Sequence, residues 1–448
     1  MTLSFLKKIF LSLCVCFVAP QAFSAAIIDD PNTVAVVNGY KLPSASVDLI
    51  YQSVSQGKRP MHYGDLVNGL IENRLLAEYA EEEIGIEALM STSSVGFPIE
   101  TYLDDQYTGL IQSSFHEALS TYIKENIGES PKEITTFNFK NTKEPLQKTL
   151  DLGKSMEYQL NDTQIAEAKK IVIAQYKIPN EKEQTITLYD LYARQNVQGR
   201  IKFHQLDLDY ISTQIIQLVS SRTINWWSEK HSGLSLTEVE ALKRFITDKH
   251  YKMRVIKHHG MSNEIHDDNP VLDKEFKNVT QAEISQYYKK NKEKFKRIEY
   301  VDARHIRLAN QEVATQVQAV LEDGLDFSEA AAKYSIAESK KASPAGSLGR
   351  ITAEKGGSNW AKSAVFALPE GTASRPIRSP QADGKTVYWE IFLVDNRKEN
   401  YFDEKSETVR YLAGKEVARK HLEQRFLDTR KKIFEKSDVK LNPTLVNK

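Results

Sequence analysis

The sequence predicts an α+β protein: a mostly helical N-terminal region completed by a C-terminal helix, with a smaller α+β domain between them along the chain. Three observations point there. Apolar residues recur at helical spacing through much of residues 44–280, and they do so again over residues 402–436. Between those stretches, residues 296–399 alternate short strand-like runs with helical ones and glycine-containing turns. A chain of 448 residues, 41% hydrophobic and 27% charged, is too long for one ordinary core and has the composition of a globular protein.

The first segment is expected to be an address and not a structural element. Lys7 and Lys8 precede the apolar run Ile9 to Ala19, and small residues follow around Ser24 and Ala25, the order of a cleaved secretory signal over residues 1–25. An apolar run of about eleven residues falls short of the roughly 20 that a membrane-crossing helix requires. Cys14 and Cys16, the only two cysteines, lie inside it, each after a bulky residue, Leu13 or Val15. The expected product is therefore soluble, without lipid, disulfide or cysteine-bound metal. Sixty Lys and Arg balance sixty Asp and Glu, and losing Lys7 and Lys8 leaves a charge of about −2. That balance offers no basic field for nucleic acid, and no later stretch approaches membrane-spanning length.

Residues 33–42, TVAVVNGYKL, place Asn38-Gly39 between two apolar runs and predict a hairpin. Ser44 or Ser46 then caps a helix. From Asp65 to Gly85, Val67, Ile71, Leu75 and Tyr79 fall at four-residue steps beside Leu66, Leu70 and Leu76, a broad helical stripe. Further helices are expected in IQSSFHEALSTYIKENIG, DTQIAEAKKIVIAQYKI and LSLTEVEALKRFITDKHYKMRVI, while ITTFNF and RIKFHQLDLDYI have strand character. Residues 26–280 make up this mostly helical region. Thr280 and Glu283 have capping-box spacing and open a linking helix over 281–295. After residue 399 a long helical pattern and the short strand VKLNPTLV complete the chain, and residues 400–448 are expected to return to the N-terminal region.

Within 296–399 the order is YVDARHIRL, QEVATQVQAVLEDGLDFSEAAAKYS, AGSLGRI, WAKSAVFALPEGTASRPI and YWEIFLVDNR. In order and approximate spacing these five segments resemble the parvulin (PpiC/rotamase) pattern. The flanks are similar to exported foldases of the SurA/PrsA type, leaving about residues 90–275 unmatched. The resemblance implies a chaperone-like N-terminal region, X-Pro cis/trans isomerisation in the inserted domain, and clients that are unfolded or newly exported polypeptides. It places His305 at the family's first active-site histidine, Leu348 in the Gly-Leu-Gly turn, Trp360 as the pocket aromatic and Phe366 on its core side. It also marks departures: the family's Cys or Asp falls near Ile336 or Ala337, its second histidine at Trp389, and its pocket methionine near Gly356. Trp389 is then expected to line a wider peptide cleft with Trp360.

Isomerisation must break amide conjugation, a barrier of roughly 18–20 kcal/mol. An apolar pocket that desolvates the amide and hydrogen-bonds the twisted state lowers it without metal, nucleotide or covalent nucleophile. No cofactor is expected. From the residues alone, His305 on an alternating strand reads equally as a hydrogen-bonded core histidine or a catalytic one. Glu338 reads as a solvated loop residue. His258-His259-Gly260 with His266-Asp267-Asp268 lacks a fixed metal-ligand spacing, and Trp226-Trp227 reads first as buried. Two functions stay open: a periplasmic (alternatively secreted) folding helper with weak isomerase activity, or a chaperone whose domain only grips extended peptide. No oligomeric state follows from the sequence.

Overall fold

The computed structural model describes residues 26–55, 61–89, 96–153, 158–262, 269–352, 360–380 and 387–446. The expected signal, Gly356 and His266-Asp267-Asp268 lie outside them. The chain forms two compact units: Met1–Asp267 with Glu423–Lys448, and Asp268–Leu422. The helix Glu407–Lys436 contributes its first part to the second unit and its last part to the first.

In the first unit the hairpin forms where Asn-Gly predicts it. Thr33–Val37 pairs with Tyr40–Pro43 across Asn38 and Gly39, whose φ angles of 48° and 86° are those a tight turn demands. Strand Val439–Leu441 pairs antiparallel with Thr33–Val37 and parallel with Ala26–Ile27, so both ends of the chain build one four-stranded sheet. Helix Tyr63–Tyr79 buries Leu66, Val67, Leu70, Ile71 and Leu75 against this sheet, and Gly85, at φ 85°, ends the π-helical turn that follows it. Arg74 is enclosed with them and donates to Asp248 at 2.9 Å and Glu78 at 2.9 Å. Helix Leu236–His258 begins in a Ser235/Glu238 capping box.

Two expectations for the middle are corrected. DTQIAEAKKIVIAQYKI is helical only over Asp162–Ala168; Val172–Tyr176 is the central strand of a three-stranded antiparallel sheet between Thr135–Phe137 and Gln184–Thr187. The β-branched run there buries Ile173, Ala174 and Tyr176, and tertiary burial outweighs the helical spacing. RIKFHQLDLDYI, conversely, is two helices, Val197–His204 and Leu208–His231. Leu206, at φ 54°, breaks them apart, and the Asp207 side chain caps the second by accepting from the Tyr210 N–H.

The second unit opens with Gln281–Lys290, headed by the Thr280/Glu283 capping box. Its sheet has the strand order Ser347–Thr352, Lys296–Leu308, Trp389–Tyr401, Ile377–Arg378, all antiparallel. Alternation of side chains divides its apolar residues between two faces. Ile306, Leu308 and Ile391 pack under helices Gln311–Glu322 and Phe327–Tyr334. Val301, Ala303, Phe392 and Val394 pack against helix Trp360–Phe366.

Candidate functional site: the His305 face of the sheet

His305 lies on the face of the sheet that carries Phe392 and helix Trp360–Phe366. Phe392 is its register partner, and the two rings stack at 6.4 Å and 14°. The histidine is 4% exposed, so its ring nitrogens must find partners inside the protein. Nδ1 lies 3.0 Å from Glu390 Oε2 and Nε2 lies 2.7 Å from Ser339 Oγ. Glu390, wholly buried, also accepts at 2.7 Å from the Arg307 guanidinium. A carboxylate paired with arginine only accepts, so Nδ1 carries a hydrogen and donates to Glu390, while Nε2 is hydrogen-bonded to the Ser339 hydroxyl. The result is one hydrogen-bonded chain from Ser339 through His305 to Glu390, closed by Arg307, whose guanidinium lies 4.1 Å from the centre of the Tyr388 ring.

Backbone geometry holds this chain in place. The His305 N–H donates to the Gly346 carbonyl at 2.8 Å, and the Gly346 N–H donates to the Ser339 carbonyl at 2.8 Å. Gly346 has φ 80°, and a Cβ there would sit 2.5 Å from the His305 carbonyl oxygen, so only glycine fits. Ser335 Oγ accepts from the backbone N–H groups of Arg307 and Ala337, tying this stretch to the strand.

Of the residues singled out in the sequence, Leu348, Trp360 and Phe366 all pack, half-buried, on the cluster that contains Phe392. Trp360 meets Phe392 edge-on at 5.8 Å and donates from Nε1 to the Tyr388 hydroxyl at 3.3 Å. Trp389 is the exception. It packs with Ile306 and Ile391 under the helices on the other face, because neighbouring residues of a strand point to opposite sides. The expectation that Trp389 lines a cleft with Trp360 is corrected on that ground. Glu390, one residue on, points toward His305. Sequence reasoning missed both Glu390 and Ser339; the available signal was a lone carboxylate inside the apolar run YWEIFLV. Glu338 pairs with Lys341 at 3.1 Å on an exposed turn, and Ile336 is 57% exposed while Ala337 is buried.

Elsewhere, Trp227 is buried, and Trp226 is half-buried and donates to Glu181 at 2.8 Å. His259 stacks on Tyr79 and meets Phe426, and burial pushes its imidazole pKa down. Among the described residues, no group of three or more His, Cys, Asp or Glu side chains converges as metal ligands, and no helix is long and apolar enough to cross a membrane.

Residues 279–410, spanning this sheet and its flanking helices, match the sequence profile of the PPIC-type PPIASE domain. The chain carries a parvulin-type domain. It is 24% identical over 260 residues to the foldase protein PrsA of Caldanaerobacter subterraneus, covering 54% of this chain and 82% of that protein. Among solved structures it is similar to PrsA of Bacillus anthracis, with 21% identity, coverage of 40% and 80%, and a TM-score of 0.21. A structure described under two SurA-like chaperones of Campylobacter jejuni aligns with 10% identity, coverage of 92% and 99%, and a TM-score of 0.24. What the sequence match establishes is a PPIC-type PPIase domain over residues 279–410.

Proposed function

We propose that the protein is an exported, periplasmic folding helper that binds unfolded or newly exported polypeptides, and that its parvulin-type domain isomerises X-Pro bonds weakly. The observation that carries the reading is the pairing of an apolar face with a closed hydrogen-bond chain. Leu348, Trp360 and Phe366 share one cluster beside His305, an arrangement suited to holding a proline ring by burial of area alone. His305, by contrast, has both ring nitrogens committed to Glu390 and Ser339. It acts as a positioning residue for the Ser339 segment and does not exchange protons with substrate. Export rests on the Lys7-Lys8 signal pattern, and the foldase name of the PrsA relative supports the client class. The first unit, closed by the strand Val439–Leu441, is assigned the chaperone role, with the domain boundaries read from the sequence.

The test is exchange-resolved NMR of a proline peptide with the full chain. Binding with slow catalysed exchange is expected. Turnover equal to that of a parvulin with two active-site histidines would sink the weak-enzyme reading, and saturating binding with no added exchange would leave the second reading, a domain that only grips extended peptide. The closed chain around His305 favours that second reading over full activity.

A further inference from the structure

A second site lies in the first unit, within the stretch that the parvulin and foldase pattern leaves unmatched. A cavity of about 170 Å³ opens between helices Ile99–Ser114 and Leu208–His231 and the segment around Arg194. Its wall carries a row of side-chain amides whose direction is fixed by the backbone. Gln195, 2% exposed, donates from Nε2 to the Leu191 carbonyl at 3.0 Å, which settles which end of its amide is nitrogen. Its oxygen then accepts from the Tyr210 hydroxyl at 2.8 Å, and its nitrogen donates onward to Gln214 Oε1 at 3.2 Å. Gln214 in turn donates to Gln217 Oε1 at 2.8 Å. Each bond orients the next, and the row ends in the exposed Gln217 amide nitrogen, a donor polarised by the bonds behind it.

The remaining lining is apolar in Phe97, Leu191 and Leu218, hydroxyl-bearing in Thr101 and Ser221, and charged in Arg194 and Asp105. Leu191 and Leu218 are buried in the wall, and Phe97 stands at the cavity 58% exposed. The Arg194 guanidinium is held 2.8 Å from Asp104 and 3.9 Å from Asp105, so it offers no unbalanced positive charge to an anion. A site with one outward amide donor at Gln217, a carboxylate acceptor in Asp105 and an apolar side fits the alternating C=O, side chain and N–H of an extended chain.

We propose that this cavity binds one apolar residue of an extended, uncharged polypeptide, with a peptide carbonyl accepting from Gln217 and the side chain against Phe97, Leu191 and Leu218. The choice of ligand rests on the folding-helper reading, whereas the geometry does not. The site is separate from the proline-directed face and requires no proline in the peptide.

The experiment uses full-length protein and a short, proline-free, uncharged peptide with one central leucine, labelled for fluorescence anisotropy. Phe97→Ser and Gln217→Glu both alter exposed side chains, and unchanged urea midpoints check that the fold is kept. Each is expected to weaken binding by about three- to tenfold, the range of one lost neutral hydrogen bond or a modest apolar contact. Trp360→Ala is expected to leave binding of this peptide unchanged. Wild-type affinity in both cavity variants, or no binding by the wild type at any soluble peptide concentration, overturns the proposal. Weakening by Trp360→Ala alone would also overturn it, moving the peptide to the parvulin-type domain while leaving the folding-helper reading standing. Failure of proline-peptide exchange, measured separately, would count against that reading and not against the cavity.

Discussion

Glu390 lies opposite Arg307 in the strand register yet bonds diagonally to His305, placing one buried carboxylate between a guanidinium and an imidazole, at 2.7 Å and 3.0 Å. Both contacts come from the same strand two residues apart, so a single substitution at Glu390 unpairs two groups at once.

Glu390→Ala is therefore expected to cost about 1–3 kcal/mol of stability, the penalty for leaving the buried His305 Nδ1–H without an acceptor, since Arg307 is partly exposed and can turn to solvent. Glu390→Gln keeps an acceptor for the His305 Nδ1–H and should cost less. Denaturant unfolding followed by tryptophan fluorescence would measure both. Equal stability of Glu390→Ala and the wild type would remove the carboxylate from the account of how His305 is held.

The two tryptophans near the sheet should separate cleanly. Trp360 packs on the Phe392 face and Trp389 on the helix-covered face. Trp360→Ala is expected to weaken proline-peptide binding by about tenfold while His305→Ala changes it little, since ring burial depends on area and not on protonation. Trp389→Ala should leave the affinity intact and lower stability by up to about 3 kcal/mol. Peptide titration and unfolding on the same samples decide it, and a binding loss at Trp389 would reverse the assignment of faces.

Gly346 gives a third prediction, from local geometry alone. Alanine there would need a positive φ and would bring a methyl group to 2.5 Å from the His305 carbonyl oxygen. A loss of about 2 kcal/mol or more is expected, with weaker hydrogen-exchange protection of the His305 N–H. A silent Gly346→Ala variant would show that the strand can shift without loosening the site.

Where the sequence was legible, a short-range rule decided the structure. Asn38-Gly39 and the Thr280/Glu283 box each specify their own backbone, and each appears where expected. The illegible parts depend on distant partners. Val172–Tyr176 has helical spacing with the preceding residues and becomes a strand only because two other strands flank it. The alternation in RIKFHQLDLDYI is an accident of two helices meeting at Leu206. At the site, His305, Leu348, Trp360 and Phe366 were visible by pattern, but the choice between Trp389 and Glu390 turned on a one-residue shift in facing, which pattern alone leaves open.

The last prediction concerns pH and the first unit. His250 on helix Leu236–His258 accepts at Nε2 from Arg254 Nε at 3.2 Å and meets the Tyr102 ring at 5.3 Å. Burial, with the Arg254 charge adding to it, pushes its pKa down to about 4 from an ordinary 6.5. An imidazole that accepts from arginine must be neutral at that nitrogen, so the hydrogen bond and the electrostatics agree in direction. In the unfolded chain the same group takes up its proton near 6.5. The unfolded state thus binds more protons between the two values, and stability must rise with pH across that window. Its contribution is full above about 6.5, falls as the pH drops toward 4, and levels off below 4. His250→Gln keeps an acceptor and removes the titration. Urea unfolding between pH 4 and 7 should show a shallower slope for His250→Gln than for the wild type, the other groups titrating alike in both. Identical slopes would mean that His250 ionises freely in the folded protein and that its bond to Arg254 does not persist in solution.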